Sequence, residues 1–142
     1  MTPERERLIR ESWARFQPHA GPAAARFYAH LFELDPASER LFAATDMVAQ
    51  GHKLMQMLEE IVRVLDVPEA LVGQVADLGR RHVGYGVRDA DYESVGAALL
   101  WTLEEALGPS FTPEVREAWS EAYLLLASVM RRAAARTSQV KP

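Results

Sequence analysis

Four histidines, His19, His30, His52 and His82, are the candidate metal ligands of this chain, and no cysteine is present to join them. No two of the histidines have the close spacing of a zinc site. His82 is set apart by its surroundings, Leu78-Gly79-Arg80-Arg81-His82-Val83-Gly84-Tyr85-Gly86-Val87. This reads as the last turn of a helix cut short by two glycines, because glycine is costly inside a helix and favoured just past its end. At such an end an imidazole can leave the helix axis and bind a metal placed above it. Without a metal, the same ring is a solvated residue or a cap on the helix dipole.

A group bound over His82 needs a facing wall, and two polar residues upstream, Gln50 and His52, compete to supply it. At about 100° per residue, Gln50 shares a helix face with Leu54, Met57 and Ile61, whereas His52 shares one with Gln56, Glu59 and Arg63. The first face is apolar and belongs inside; the second belongs in water. Gln50 is therefore expected to point inward. A pairing of His82 with His52 would turn Glu59 and Arg63 into the core, where unpaired charge is costly. Taken singly, Gln50 also reads as the first exposed residue of its helix, and Tyr28 and Phe42 as plain core aromatics.

Helices must position these side chains. Thr2-Pro3-Glu4 joins a hydroxyl cap, a proline at the first helical position and an acid in the first turn. Leu8, Ile9, Trp13 and Phe16 follow at helical spacing, and Gly21-Pro22 is expected to break this helix. A second helix over 22–33 carries Ala25, Phe27, Tyr28, Leu31 and Phe32. It stops at Asp35-Pro36, because the residue before proline avoids the helical region. A short turn over 37–42 follows. The helix at 49–65 has a clean stripe of Leu54, Met57, Leu58, Ile61, Val62 and Leu65. Asp66-Val67-Pro68 ends it, and the segment 68–82 finishes at His82. Asp89 or Asp91 caps the next helix, lined by Tyr92, Val95, Leu99, Leu103 and Leu107 and stopped by Gly108-Pro109. Thr112-Pro113-Glu114 starts the last helix, which carries Val115, Trp119, Ala122, Tyr123, Leu126, Val129 and Met130 and frays into a polar tail after about 135. No segment alternates with period two. The expectation is an all-α domain over 1–142, ordered over about 2–135, with about six to eight helices. The last two, joined by a short loop, should pack antiparallel as a floor. The helix at 49–65 and the segment at 68–82 then face each other across a gap above it.

Bulk properties narrow the function. A chain of 142 residues suits one domain with a real core. A net charge of −4 with no long basic run argues against nucleic acid as a partner. No apolar run approaches the ~20 residues of a membrane span, and the charged N-terminus has no signal-peptide core. With no cysteine, the expectation is a cytoplasmic protein with no membrane partner.

The chain resembles the globin family, most of all single-domain bacterial haemoglobins and the globin portion of flavohaemoglobins. The match extends from about Leu8 to Met130. It is carried by Phe27-Tyr28, Leu41-Phe42, Gln50-Gly51-His52-Lys53-Leu54-Met55, Leu78-Gly79-Arg80-Arg81-His82-x-x-Tyr85-Gly86-Val87 and Ala118-Trp119-x-x-Ala122-Tyr123. The resemblance implies a globin fold around haem b, iron protoporphyrin IX. His82 resembles the proximal ligand on iron. Phe42 resembles the ring wedged against the haem, Tyr28 the distal tyrosine of many bacterial globins, Gln50 the distal gate and Leu54 the apolar wall beside the ligand. Val87 and Tyr92 fall among the haem-contacting positions. Lys53 and Arg81 are either propionate partners or solvated surface cations.

These roles imply a binder of oxygen, and of other diatomic ligands such as NO or CO. Oxygen on ferrous haem carries partial negative charge, and the Tyr28 hydroxyl and Gln50 amide are donors suited to it. High affinity and slow release follow. Nitric oxide dioxygenation is the enzymatic alternative. It leaves ferric haem and needs electrons, and with no GxGxxG fingerprint in the chain these must come from a separate reductase. Flavohaemoglobins place a tyrosine and a glutamate behind the proximal histidine. Tyr92 matches the tyrosine, but Ala134 stands at the glutamate's position, which weakens the case for peroxidase-like activation. A haem-based gas or redox sensor is a further alternative, although no output domain is evident. The expected assembly is a monomer or weak homodimer.

Overall fold

The computed structural model describes residues 2–84 and 88–140, with the side chains at 68, 82–84, 89, 134 and 136–140 outside that description. The described residues form six α-helices. They are α1 (Pro3–Phe16), α2 (Ala20–Leu34), α3 (Met47–Arg63), α4 (Pro68–Gly84), α5 (Asp89–Leu107) and α6 (Pro113–Val140), with 3-10 turns at Gln17–His19, Pro36–Phe42 and Gly108–Ser110. No strand occurs among the described residues, and no described helix is long and apolar enough to cross a membrane.

The start signals act as expected. The Thr2 hydroxyl accepts from Arg5 N at 3.2 Å, and the Thr112 hydroxyl accepts from Val115 N at 3.3 Å. Asp46 caps α3 by accepting from Val48 N and Ala49 N at 3.0 and 3.3 Å, so that helix starts slightly earlier than the periodicity implied. Three boundaries differ from expectation for identifiable reasons. The first break falls at Gln17-Pro18-His19, and Gly21-Pro22 lies inside the first turn of α2. Proline is tolerated there, because an amide hydrogen in the first turn has no intrahelical partner. Helix α5 is capped by Arg88, with Asp91 at the third helical position accepting from the Arg88 backbone N. Helix α6 continues to Val140, since Ala133-Ala134-Ala135 favour helix and no glycine or proline intervenes.

The core is built from Ile9, Trp13 and Phe16 of α1, Phe27, Tyr28 and Leu31 of α2, Leu58, Ile61 and Val62 of α3, Leu71 and Val75 of α4, Ala98, Leu99 and Leu103 of α5, and Ala118, Trp119 and Ala122 of α6. Helices α5 and α6 do pack together, but α4 is the main partner of α6. The reason is Gly79: a Cβ there would lie 2.6 Å from the Met130 carbonyl oxygen, so the two backbones meet with no side chain between them. Helix α3 leans on α2 and α1 instead, and makes no extensive contact with α4 among the described residues. This division is compatible with the expected separation of α3 from α4.

Candidate functional site

The site begins at the crossing of α2 and α3. A Cβ on Gly51 would meet the Ala24 methyl at 3.0 Å, so glycine lets the helices close to contact distance. Tyr28 lies one turn along α2 from Ala24, and Gln50 precedes Gly51. The close crossing brings them together: Gln50 Nε2 donates to Tyr28 Oη at 3.2 Å. His52, on the other face of α3, is exposed, and Gln50 is half-buried. The face analysis thus holds in three dimensions.

Aromatic rings pack around the Tyr28 ring. Phe27 and Phe42 meet the Tyr28 ring edge-on, with centroids at 4.9 and 5.3 Å, and Phe32 is tilted beside it at 6.2 Å. Burial pushes the Tyr28 phenol above its ordinary value of 10, and the bond from Gln50 only partly offsets this. Tyr28 is therefore a neutral donor at physiological pH. Its oxygen already accepts from Gln50, which leaves its proton available to a further acceptor.

Leu54, one turn after Gln50, is half-buried. Lys53 is exposed, and so is Arg81, whose Nε lies 3.5 Å from Asp77 Oδ2. His82 belongs to the last turn of α4 by its backbone, but its side chain lies outside the described residues, as do Val87 and the Ala134 side chain. Tyr92 is buried in the first turn of α5. Its carbonyl accepts from the Tyr123 hydroxyl, and the Arg131 guanidinium sits 5.0 Å above its ring centroid.

Two features were not found by reading the sequence. One is the cation over Tyr92. The other is an ionic corner around Asp91, a carboxylate only 2% exposed. Asp91 accepts from Arg88 Nη2 at 2.6 Å, from Arg88 N at 2.7 Å and from Arg40 Nη2 at 3.4 Å. Burial alone would push this carboxyl up, but the bonds and charges of Arg88, helped by Arg40, hold it below the ordinary carboxylate value. The acid in the first turn of α5 was the only signal, and it pointed merely to a helix cap.

The described residues suit a largely apolar group held beside α3, α5 and α6. Phe42, Leu54, Val95, Leu126 and Met130 pack against the core yet stay only partly buried, so apolar surface is left to be covered. The neighbouring donor pair supplies polarity at one point. Comparison with known proteins agrees. The model of the family described as Globin matches residues 25–130, and the chain belongs to the globin family, whose members bind haem. It is 31% identical to neuroglobin of Danio rerio over 147 aligned positions, covering 94% of this chain and 92% of that protein. It is 28% identical to the anaerobic nitrite reductase HBII of Casuarina glauca, covering 92% and 90%. A solved hexacoordinated haem protein from an anhydrobiotic tardigrade superposes with a TM-score of 0.85 at 16% identity, covering 95% of this chain and 96% of that one. That likeness is one of fold.

Proposed function

We propose that this globin binds oxygen, and related diatomic ligands such as NO and CO, reversibly and tightly, with Tyr28 and Gln50 as paired donors on the distal side of haem b. The hydrogen bond from Gln50 to Tyr28 carries the reading. When held, the haem supplies the iron at which a diatomic ligand binds. In this reading His82 would hold it through the iron, Phe42, Leu54, Val87 and Tyr92 would contribute apolar contacts, and Lys53 and Arg81 would pair with its carboxylates. Gln50 polarises the Tyr28 hydroxyl by donating to its oxygen, and Tyr28 directs its proton at the partial negative charge of the ligand. Each hydrogen bond to a charged partner contributes about 1.5–3 kcal/mol. At 1.4 kcal/mol per factor of ten, the bond from Tyr28, strengthened by Gln50, slows ligand release roughly ten- to a hundredfold.

The similarity to a hexacoordinated haem protein raises the question of a sixth ligand from the chain itself. The exposure of His52 supports an open distal position. Nitric oxide dioxygenation would draw on the same donor pair together with a separate reductase. The guanidinium over Tyr92, where the flavohaemoglobin resemblance would want a carboxylate nearby, disfavours it. Spectra of the haem-loaded protein test the reading, taken ferric, then dithionite-reduced, then in oxygen. A five-coordinate reduced form and a long-lived oxygenated spectrum are expected. A six-coordinate low-spin reduced form would overturn it and move the function toward electron transfer or sensing.

A further inference from the structure

The ionic corner around Asp91 does more than a helix cap requires. A cap at the start of α5 needs only an acid at the third helical position, and such an acid is normally in water. Asp91 is instead almost wholly enclosed, and a buried carboxylate is tolerated only when its oxygens are satisfied. Its partners come from separate parts of the chain. Arg40 belongs to the 3-10 turn that ends in Phe42 and reaches Asp91 Oδ2 at 3.4 Å across 51 residues of sequence. Arg88, beside Val87 in the sequence, holds Asp91 through Nη2 and also donates from Nη2 to Asp35 Oδ2 at 3.2 Å. Asp35 ends α2 and accepts a second bond from the Ser94 hydroxyl at 3.2 Å. The turn carrying Phe42 and the start of α5 are thus tied at two points, Arg40–Asp91 and Asp35–Arg88.

Both segments border the proposed haem cleft: Phe42 stands with the Tyr28 cluster, and Asp91 precedes Tyr92, buried in the first turn of α5. Parting them would widen the rim through which haem is lost. We propose that Asp35, Arg40, Arg88 and Asp91 form a clasp across the rim of the cleft, and that these positioning residues set how slowly haem is lost without acting on the bound ligand. The proposal rests on the haem-pocket reading given above.

The clasp can be cut while the cap is kept. Arg40→Gln and Asp35→Asn leave the Arg88–Asp91 capping pair in place. The measurement is haem transfer from the loaded protein to excess haem-free myoglobin, with oxygen release and the urea midpoint of the haem-free chain as controls. Each single variant is expected to speed haem loss severalfold and the pair together more than tenfold. Oxygen release and the urea midpoint should stay near the parent's, and Arg40→Lys should recover most of the loss. Unchanged haem loss in the double variant would overturn the clasp, as would a matching rise in oxygen release or a urea midpoint that falls in step. The parent protein separates this from the reading beneath it. If the parent takes up no haem, the pocket reading has failed; if it holds haem and the variants hold it equally well, only the clasp has failed.

Discussion

The α2–α3 crossing and the Asp91 corner are both polar clusters at the edge of one apolar core, and they are built on opposite terms. At the crossing, two neutral side chains share one hydrogen bond, and the Tyr28 proton is left for something else. At the corner, both oxygens of a buried carboxylate are occupied, and four charged residues neutralise one another. An incompletely satisfied polar pair in an aromatic box has donor capacity to give to a ligand. A satisfied ionic cluster has none, and what it can supply is attachment between segments. In the proposed reading, the difference separates a ligand-binding pair from a structural tie.

The sharpest way to break this contrast is to remove the spare donor. Tyr28→Phe is expected to speed oxygen release by roughly ten- to a hundredfold, given about 1.5–3 kcal/mol for a bond to a charged partner. An unchanged rate in stopped flow would make Tyr28 a plain core aromatic. The next largest effect tests the crossing itself. Gly51→Val should prise α3 from Ala24, at a cost of about 1–3 kcal/mol for overpacking, and should also separate Gln50 from Tyr28. A lowered urea midpoint together with faster oxygen release is the expected signature; a lowered midpoint alone would uncouple the crossing from the donors.

The two regions should also titrate differently. Burial raises the Tyr28 phenol above 10, so its neutral donor form persists up to that pH, and any loss of the donor comes only as pH rises beyond its folded value. Oxygen release measured from pH 6 to 10 should therefore be flat, and a rise beginning near pH 8 would contradict the buried environment. The smallest effect belongs to Asp91. Its carboxyl lies below the ordinary 3.8 in the folded chain. The stabilisation it gives is complete above that value and is lost as pH falls through the folded one. Thermal midpoints between pH 3 and 5 should drop less steeply in Asp91→Asn than in the parent, and parallel curves would show that the ionised carboxylate adds no stability.

Much of the fold was legible because it is written in short-range patterns. The faces of α3 separated Gln50 from His52 since helical geometry converts spacing into direction, and the Thr-Pro-Glu starts hold because capping is local. Gly21-Pro22 misled because proline signals a break only beyond the first turn, and the true break at Pro18 has no glycine beside it. The Asp91 corner was hidden for a different reason. Its members are separated by 51 and 53 residues, and no periodicity links side chains that meet only after folding. The cation over Tyr92 is hidden likewise, since Arg131 and Tyr92 belong to different helices. The close approaches at Gly51 and Gly79 were hidden too, since a helical glycine does not say which element it meets.

The contact at Gly79 has a mechanical consequence. With backbone resting on backbone against Met130, the contact at Gly79 has no side chain of α4 to compress or rotate. A displacement of α4 there must therefore drag α6 with it. The contact at α3 is of another kind, because what faces Gly51 is the methyl of Ala24, a side chain rather than backbone. In the proposed reading, movement on ligand entry would therefore be taken up at α3 rather than at the turn bearing His82.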